Sequence, residues 1–168
     1  FCRQGFHVLE AVVPADVNER SCEWMDRVSR DGLPHETILE KEWFVDNVLL
    51  NAQAAGAVRS LLGRKFRITM PYMHNHRSEK PNSVPQTWHR DGGSKHTHEL
   101  DSLQVFYYPQ DVSTEMGPTA VLPGSQYYYT PEQAHAQPEL PLCGKAGTLT
   151  IVHYDLWHRA MPNLSTRK

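Results

Sequence analysis

The sequence predicts a mainly β domain, either a barrel or a double-sheet jelly roll, with helices packed on one side. Two observations support this prediction. Apolar residues recur at helical spacing through the first third of the chain, and short alternating segments separated by glycine and proline follow them. Helices followed by many short strands are typical of a sheet that is covered by a helical layer.

The length of the chain, 168 residues, is sufficient for one hydrophobic core, so residues 1–168 are expected to form a single domain. The chain begins at Phe1 rather than at a methionine, and it stops at Lys168 without a tail. We therefore expect a chain that is trimmed at its C-terminus, and the N-terminus is open to the same interpretation.

Two helices are expected near the start. The first runs from Pro14 to Asp31, because proline suits the first position of a helix and an apolar stripe follows it. The second runs from Trp43 to Leu62, where apolar residues cover one face and Gly63 is a natural stop. Both are expected to form a packing layer without a catalytic role.

Strands are expected wherever β-branched, aromatic and aliphatic residues stand between turn signals. These segments are 5–9, 11–13, 65–70, a short strand around His89, 100–108, 119–122, 147–153 and a short strand around His158. The segment 127–143, rich in Tyr, Pro, Gln and Ala, is expected to be an insertion between strands. One role for this insertion is that of a lid.

The charge and cysteine content exclude several classes of partner. The formal net charge is -2, and Lys and Arg are scattered, which argues against a nucleic-acid or membrane-surface partner. No apolar run approaches the ~20 residues that span a bilayer. Three widely spaced cysteines (Cys2, Cys22 and Cys143) form neither a disulfide framework nor a zinc knuckle. A cytoplasmic protein in a reducing compartment is expected.

A candidate metal site begins with His89 and Asp91, which lie one residue apart and directly before two glycines. Alternate side chains of a strand leave the same face, so both residues could bind one ion. His158 would supply the third ligand from a distant segment. Two imidazoles and one carboxylate on one side of an ion are the facial triad typical of non-haem Fe(II) oxygenases.

Other histidines compete for this role. His153 and Asp155 repeat the His-x-Asp pattern, but only His158 follows them, so His153 is interpreted as a core or supporting residue. The pair His74/His76 does not have the glutamate and glycine at the distances that a cupin-type site needs, because Glu79 follows His76 too closely. His96 and His98 follow the turn glycines and are expected on an exposed rim, as substrate contacts at most. His74, His76, His96 and the tyrosines at 127–129 are candidates for lining the substrate entrance.

The combination resembles the phytanoyl-CoA dioxygenase family of Fe(II)/2-oxoglutarate oxygenases over nearly the whole chain. The matching segments are Gly5-Phe6-His7-Val8-Leu9 before the Pro14 helix, Trp88-His89-Arg90-Asp91-Gly92, Leu103-Gln104-Val105-Phe106, residues 115–125 (EMGPTAVLPGS), and Trp157-His158-Arg159 leading to Pro162-Asn163. The resemblance implies a double-stranded β-helix (jelly roll, cupin-like barrel). It also implies Fe(II) bound by His89, Asp91 and His158, with 2-oxoglutarate and O₂ as cosubstrates.

Three further residues are candidates for binding 2-oxoglutarate. Ser165 and Arg167 would share one face of an extended run after His158, and an arginine there could hold a carboxylate through paired hydrogen bonds. The arginine of the family often lies about two residues further along, so either Arg167 or a residue just beyond the chain is expected to bind the cosubstrate. The resemblance also implies that Gln104 and Phe106 face it.

The implied function is hydroxylation of a C–H bond of a small-molecule substrate, with release of succinate and CO₂. Halogenating relatives lack the carboxylate that Asp91 provides, so hydroxylation is favoured over halogenation. One alternative is a metal-dependent non-oxygenase on a cupin-like barrel, an isomerase or lyase with Zn or Mn, which needs no arginine to anchor a 2-oxo acid. Another is a catalytically silent β-barrel binding module, against which the three intact ligands argue.

Overall fold

The computed structural model describes residues 1–69, 83–91, 99–134 and 138–167, which contain six strands in two antiparallel sheets. The strands in chain order are β1 (Phe6–Leu9), β2 (Leu103–Tyr108), β3 (Thr119–Val121), β4 (Leu140–Pro141), β5 (Thr148–His153) and β6 (His158–Ala160). The first sheet has the order β1-β5-β2 and the second has the order β4-β3-β6. The strands that flank β5 in the first sheet both run antiparallel to it.

Four α-helices accompany the sheets in the described residues: α1 (Ala15–Asp31), α2 (Glu42–Phe44), α3 (Ala52–Leu62) and α4 (Pro131–Ala134). The first predicted helix is confirmed as α1. Pro14 precedes it, and Gly32 ends it in the left-handed conformation, with an N–H that donates to the carbonyl oxygen of Val28. None of the helices in this part of the chain is long and apolar enough to cross a membrane.

The second predicted helical region, from roughly Trp43 to Leu62, is helical but is interrupted at Leu50 and Asn51. The chain forms α2, then a π-helical turn at Val45–Leu49, and begins a new helix after Asn51. The Asn51 side chain accepts hydrogen bonds from the N–H groups of Gln53 (3.2 Å) and Ala54 (3.3 Å), which satisfies the first turn of α3. A helix-capping asparagine therefore interrupts an apolar pattern that continues on both sides of it.

The core has two parts, one on each face of the first sheet. Leu149 of β5 packs with helical residues in one cluster, whereas Val152 of the same strand packs in another cluster with β3. The helix-side cluster is Val13, Val17, Ile38, Phe44, Val48, Ala54 and Leu149; the inter-sheet cluster is Phe6, Val121, Leu142, Val152 and Leu156. The first sheet is therefore a middle layer between the helices and the second sheet.

The fold class needs correction from mainly β to a mixture of helices and antiparallel sheets. α1 alone has 17 residues, more than the two longest strands together, β2 and β5, which have 6 each. Within the described ranges, strand pairing forms two separate three-stranded sheets rather than a closed barrel. The predicted packing of helices on one side is confirmed, because they cover one face of the first sheet.

Two predicted strands are wrong where the structure describes them. Residues 65–69 form a turn and irregular chain, and Met70 lies outside the described residues. Residues 11–13 do not form a strand either, because the N–H groups of Val12 and Val13 both donate to the carbonyl oxygen of Gly147 (3.0 and 3.1 Å). Alternating apolar residues do not make a strand unless another strand lies beside them to complete the hydrogen-bond ladder.

Candidate metal centre

A single antiparallel bridge brings His89 and His158 together. The N–H of each residue donates to the carbonyl oxygen of the other, and both distances are 3.0 Å. Residues directly opposite each other in an antiparallel pair point to the same face. Accordingly, the two imidazole rings lie with their centroids 4.4 Å apart. The strand predicted around His89 is limited to this bridge, and His158 begins β6.

Asp91 completes a cluster of three potential ligands. It follows His89 by two residues, and its Oδ2 lies 3.6 Å from Nε2 of His158. The ligand atoms of His89, Asp91 and His158 all lie within 4.8 Å of one another. Among the described residues, this is the group of His, Cys, Asp and Glu side chains that could hold a metal ion.

The two histidines are oriented in the same way. Nδ1 of His89 lies 3.0 Å from the carbonyl oxygen of Thr87, and Nδ1 of His158 lies 2.9 Å from that of Leu156. A carbonyl oxygen only accepts hydrogen bonds, so each Nδ1 carries the hydrogen and donates it. In the neutral ring Nε2 then keeps its lone pair, which makes it the atom available to a metal.

Burial favours the metal-binding form of His158. Loss of solvent lowers the pKa of its imidazole, and the nearby His89 acts in the same direction. The hydrogen bond to the Leu156 carbonyl and the negative charge of Asp91 act in the opposite direction. The net lowering of the pKa favours the neutral imidazole, and only that form can bind a cation through Nε2.

Gln104 connects the first sheet to this cluster. Its Nε2 donates a hydrogen bond to Oδ2 of Asp91, and an ionised carboxylate only accepts, which assigns the nitrogen rather than the oxygen to this contact. The other amide atom, Oε1, is buried and has no hydrogen-bond partner in the described part of the chain. Phe106, two residues along the same face of β2, packs against the inter-sheet cluster.

Arg167 lies elsewhere. It is exposed, and its positive charge acts on Asp111. The pKa of Asp111 is lowered chiefly by a hydrogen bond from Lys145, and Arg167 adds a smaller Coulombic contribution. Asp111 follows the Tyr108 end of β2, whereas Gln104 lies near the other end. The structure therefore brings Gln104, but not Arg167, to the three candidate ligands.

The extended run that was predicted for residues 165–167 is wrong. Asn163 Nδ2 donates to the carbonyl oxygen of Arg167 (2.6 Å), and the Ser165 N–H donates to Asn163 Oδ1 (3.0 Å). These bonds bend the chain back on itself. The buried Asn163 is a turn-forming side chain that competes with an extended backbone.

The second His-x-Asp pattern has a structural role. Asp155 Oδ1 lies 3.6 Å from Nη1 of Arg90, and both side chains are almost completely buried. The Asp155 N–H donates to Nδ1 of His153 (3.0 Å). The interpretation of His153 as a core or supporting residue agrees with these contacts. Sequence reasoning missed Arg90, although its position between two ligands on an alternating segment indicates that it points away from them.

Several residues named from the sequence lie outside the described ranges, namely Gly92, Gly93, His74, His76, His96 and His98. The tyrosines at 127–129 lie within the described ranges, and all three are exposed. Its proposed place at the substrate entrance stays a prediction.

The donor set fits a divalent transition metal. Two imidazole nitrogens and one carboxylate oxygen converge from one side, which matches the facial arrangement of non-haem iron sites. The buried amide of Gln104 supports the carboxylate, as is usual for groups that contact metal ligands. The geometry thus agrees with the ligand set that the sequence predicts.

Solved structures with the same fold include proteins that bind iron or depend on alpha ketoglutarate. EctD from S. alaskensis with bound Fe is 21% identical, with a TM-score of 0.75, and the alignment covers 98% of this chain and 69% of that chain. The epimerase SnoN from nogalamycin biosynthesis, in complex with Fe3+, alpha ketoglutarate and nogalamycin RO, is 17% identical, with a TM-score of 0.73 and coverage of 98% and 75%. The carbocyclase SnoK from the same biosynthesis is 16% identical, with a TM-score of 0.66 and coverage of 98% and 76%.

These identities show a shared fold and nothing finer. The comparison with curated protein sequences gave no significant match. The family model for phytanoyl-CoA dioxygenase, in contrast, matches residues 1–168. Because that match spans every residue of the sequence, the resemblance predicted above is confirmed, and the chain belongs to the phytanoyl-CoA dioxygenase (PhyH) family.

Proposed function

We propose that the protein is an Fe(II)- and 2-oxoglutarate-dependent dioxygenase that hydroxylates a C–H bond of a small-molecule substrate. The observation that carries this proposal is the convergence of His89, Asp91 and His158, whose ligand atoms lie within 4.8 Å of one another. When bound there, iron supplies the oxidative chemistry by which O₂ and 2-oxoglutarate yield succinate, CO₂ and a hydroxylated product.

The side chains of this chain would position and neutralise the metal. Three protein ligands on one side of a metal ion would leave its other side open to a 2-oxo acid and O₂. The carbonyl oxygens of Thr87 and Leu156 accept hydrogen bonds from Nδ1 of the imidazole rings, so each Nε2 keeps the lone pair that would bind the ion. Gln104 donates a hydrogen bond to the carboxylate of Asp91 and so occupies one of its lone pairs. This bond limits the directions from which the carboxylate can bind a metal ion.

The cosubstrate site is proposed to include Gln104, Phe106 and Arg167. Gln104 and Phe106 share the face of β2 that points into the space between the sheets. Gln104 is hydrogen-bonded to Asp91. Arg167 is supported only by its position after His158, since its side chain is exposed and its charge acts on Asp111. Its role is tested by Arg167→Met, which should weaken 2-oxoglutarate binding; unchanged binding would remove Arg167 from the proposed site.

Hydroxylation is the proposed outcome, although fold alone does not determine it. Similar structures include an epimerase and a carbocyclase, and another structure of EctD holds 2-oxoglutarate and 5-hydroxyectoine. The presence of Asp91 favours hydroxylation over halogenation, because no ligand position is vacated for a halide. The exposed location of Arg167 favours one second candidate, a metal-dependent isomerase or lyase that needs no 2-oxo acid.

The test is anaerobic titration of the metal-free protein with Fe(II) and then with 2-oxoglutarate. A chelated 2-oxo acid gives a weak visible metal-to-ligand charge-transfer band, and admission of O₂ should then release succinate. Asp91→Asn should remove the band, whereas Asp111→Asn, a control at an exposed carboxylate, should keep it. Bound metal without a band supports the isomerase or lyase, and failure to bind metal refutes both functions.

A further inference from the structure

Two Arg–Trp pairs lie behind the metal ligands. Since His89 is opposite His158 in the antiparallel bridge, the same register sets Arg90 opposite Trp157 and Trp88 opposite Arg159. The guanidinium carbon of Arg90 lies 5.1 Å from the centroid of the Trp157 ring, and that of Arg159 lies 4.4 Å from the Trp88 ring. Neighbouring residues alternate between faces, so these pairs lie on the face opposite the histidines.

Of the two arginines in these pairs, Arg90 is the more deeply buried. Its side chain is 6% exposed and that of Asp155 is 9% exposed, with 3.6 Å between Nη1 and Oδ1. The Tyr129 ring lies on the guanidinium as well, at 5.5 Å. Arg159, in comparison, pairs with Glu139 at side chains that are 22% and 36% exposed, where water screens the attraction.

The Arg90–Asp155 ion pair joins the two halves of the metal site. Arg90 stands between His89 and Asp91, and Asp155 stands three residues before His158. Backbone hydrogen bonds also join the two segments, in both directions between His89 and His158 (3.0 Å each) and from the Gln86 N–H to the carbonyl oxygen of Ala160 (2.9 Å). Backbone groups are alike at every residue, so these bonds alone do not select one register, and side chains have to distinguish it. A slip of one residue would turn both His89 and Asp91 to the opposite face and would separate them from His158.

A buried charge penalises such a slip. In the observed register the guanidinium of Arg90 lies against a carboxylate and an indole ring, which offset part of its loss of water. In a slipped register the same charge would be buried away from both groups, at a large free-energy cost. Setting register is the best-attested role of buried polar and ionic groups.

We propose that Arg90 is a positioning residue of the metal centre, and that its contacts with Asp155 and Trp157 set the register in which His89 and Asp91 meet His158. The inference rests on the proposed function, because it requires these three residues to bind a metal. Arg90 itself does not touch the metal, so its effect should be visible in metal binding and not only in turnover.

The first experiment measures Fe(II) affinity and thermal unfolding of the metal-free protein under anaerobic conditions. Arg90→Met should weaken Fe(II) binding by about 10-fold or more, the size of effect found when groups that orient metal ligands are lost. The control is Arg27→Met. Arg27 stacks on Trp24 at 5.3 Å and pairs with Asp31 at 3.6 Å, but it lies on the exposed surface of α1, so Fe(II) affinity should not change.

A second variant separates positioning from general stability. Arg90→Met with Asp155→Leu replaces the ion pair by apolar groups, which often restores folding stability. Such side chains pack in more than one register, so stability should recover while Fe(II) affinity stays low. If the single variant does not fold, the double variant alone carries the test.

Three results would count against these ideas in different ways. Wild-type affinity in folded Arg90→Met overturns the positioning role, and so does recovery of both stability and affinity in the double variant. Wild-type protein that binds no Fe(II) overturns the proposed function, and the positioning role with it. Only the first two results leave the proposed function standing.

Discussion

Gly147→Ala should destabilise the fold by several kcal/mol, because Gly147 lies where three segments meet. Its N–H donates to the carbonyl oxygen of Tyr108 (2.7 Å), and its own carbonyl oxygen accepts from Val12 and Val13. Its φ is +87°, and a Cβ built on it would lie 2.5 Å from the carbonyl oxygen of Val13. The obstructing atom belongs to the backbone, so a side-chain rotation cannot relieve the contact.

The magnitude has two parts. The left-handed conformation costs a residue with a Cβ about 1–2 kcal/mol, and overpacking of a tight site costs about 1–3 kcal/mol more. Alanine also restricts the unfolded chain, which returns about 0.4–1 kcal/mol. The expected net loss is therefore about 1–4.6 kcal/mol, centred near 3, which is a large part of the ~5–15 kcal/mol that stabilises a typical domain.

Gly32→Ala is the matched control. Gly32 also has a positive φ, +65°, but a Cβ there meets nothing within 4 Å. Gly32→Ala should lower the free energy of unfolding only by the conformational cost of about 1–2 kcal/mol. The restriction of the unfolded chain by alanine offsets part of this cost, as it does in Gly147→Ala. Urea unfolding followed by circular dichroism gives both free energies. Equal losses in the two variants would refute the reasoning, because they would mean that the junction at Gly147 yields without cost.

Three further predictions follow from the site and its surroundings. Asp91→Ala should abolish succinate formation while the circular dichroism spectrum stays that of the wild type, and retained turnover would exclude Asp91 as a ligand. His153→Ala should weaken Fe(II) binding much less than His158→Ala, and equal losses in a metal titration would mean that the wrong His-x-Asp was assigned. Burial raises the pKa of Tyr107 to about 12, so the folded state holds this proton more tightly than the unfolded state does. The contribution of Tyr107 to folding stability is then complete below about pH 10 and is lost as the pH rises through about 12. Tyr107→Phe should flatten the fall in unfolding free energy over this alkaline range. An unchanged fall in Tyr107→Phe would mean that other groups cause it.

The His89 and Asp91 half of the site could be predicted because its pattern is local, whereas the distant His158 was assigned from the need for a third ligand and from the family resemblance. The alternation of His89 and Asp91 and the ligand preferences of Fe(II) need only a few neighbouring residues, and both agree with the observed cluster. The break before α3 escaped prediction because the capping bonds of Asn51 outweigh an apolar pattern that continues beyond them. The Arg90–Asp155 pair escaped it because the partners are far apart in sequence and meet only when the two segments are in register.

The orientation of each histidine ring is fixed locally, which explains how a metal site can form on one antiparallel bridge and the short strand β6. Each histidine donates Nδ1–H to the carbonyl oxygen two residues before it, so each half of the site orients its own ring without help from the other. What remains for the tertiary structure is to set the two halves opposite each other. The rings should therefore hold the Nδ1–H tautomer before any metal arrives. ¹⁵N NMR of the metal-free protein checks this point: protonated Nδ1 and lone-pair-bearing Nε2 in both rings would support a preformed site, and the opposite tautomer in either ring would require the rings to turn on binding.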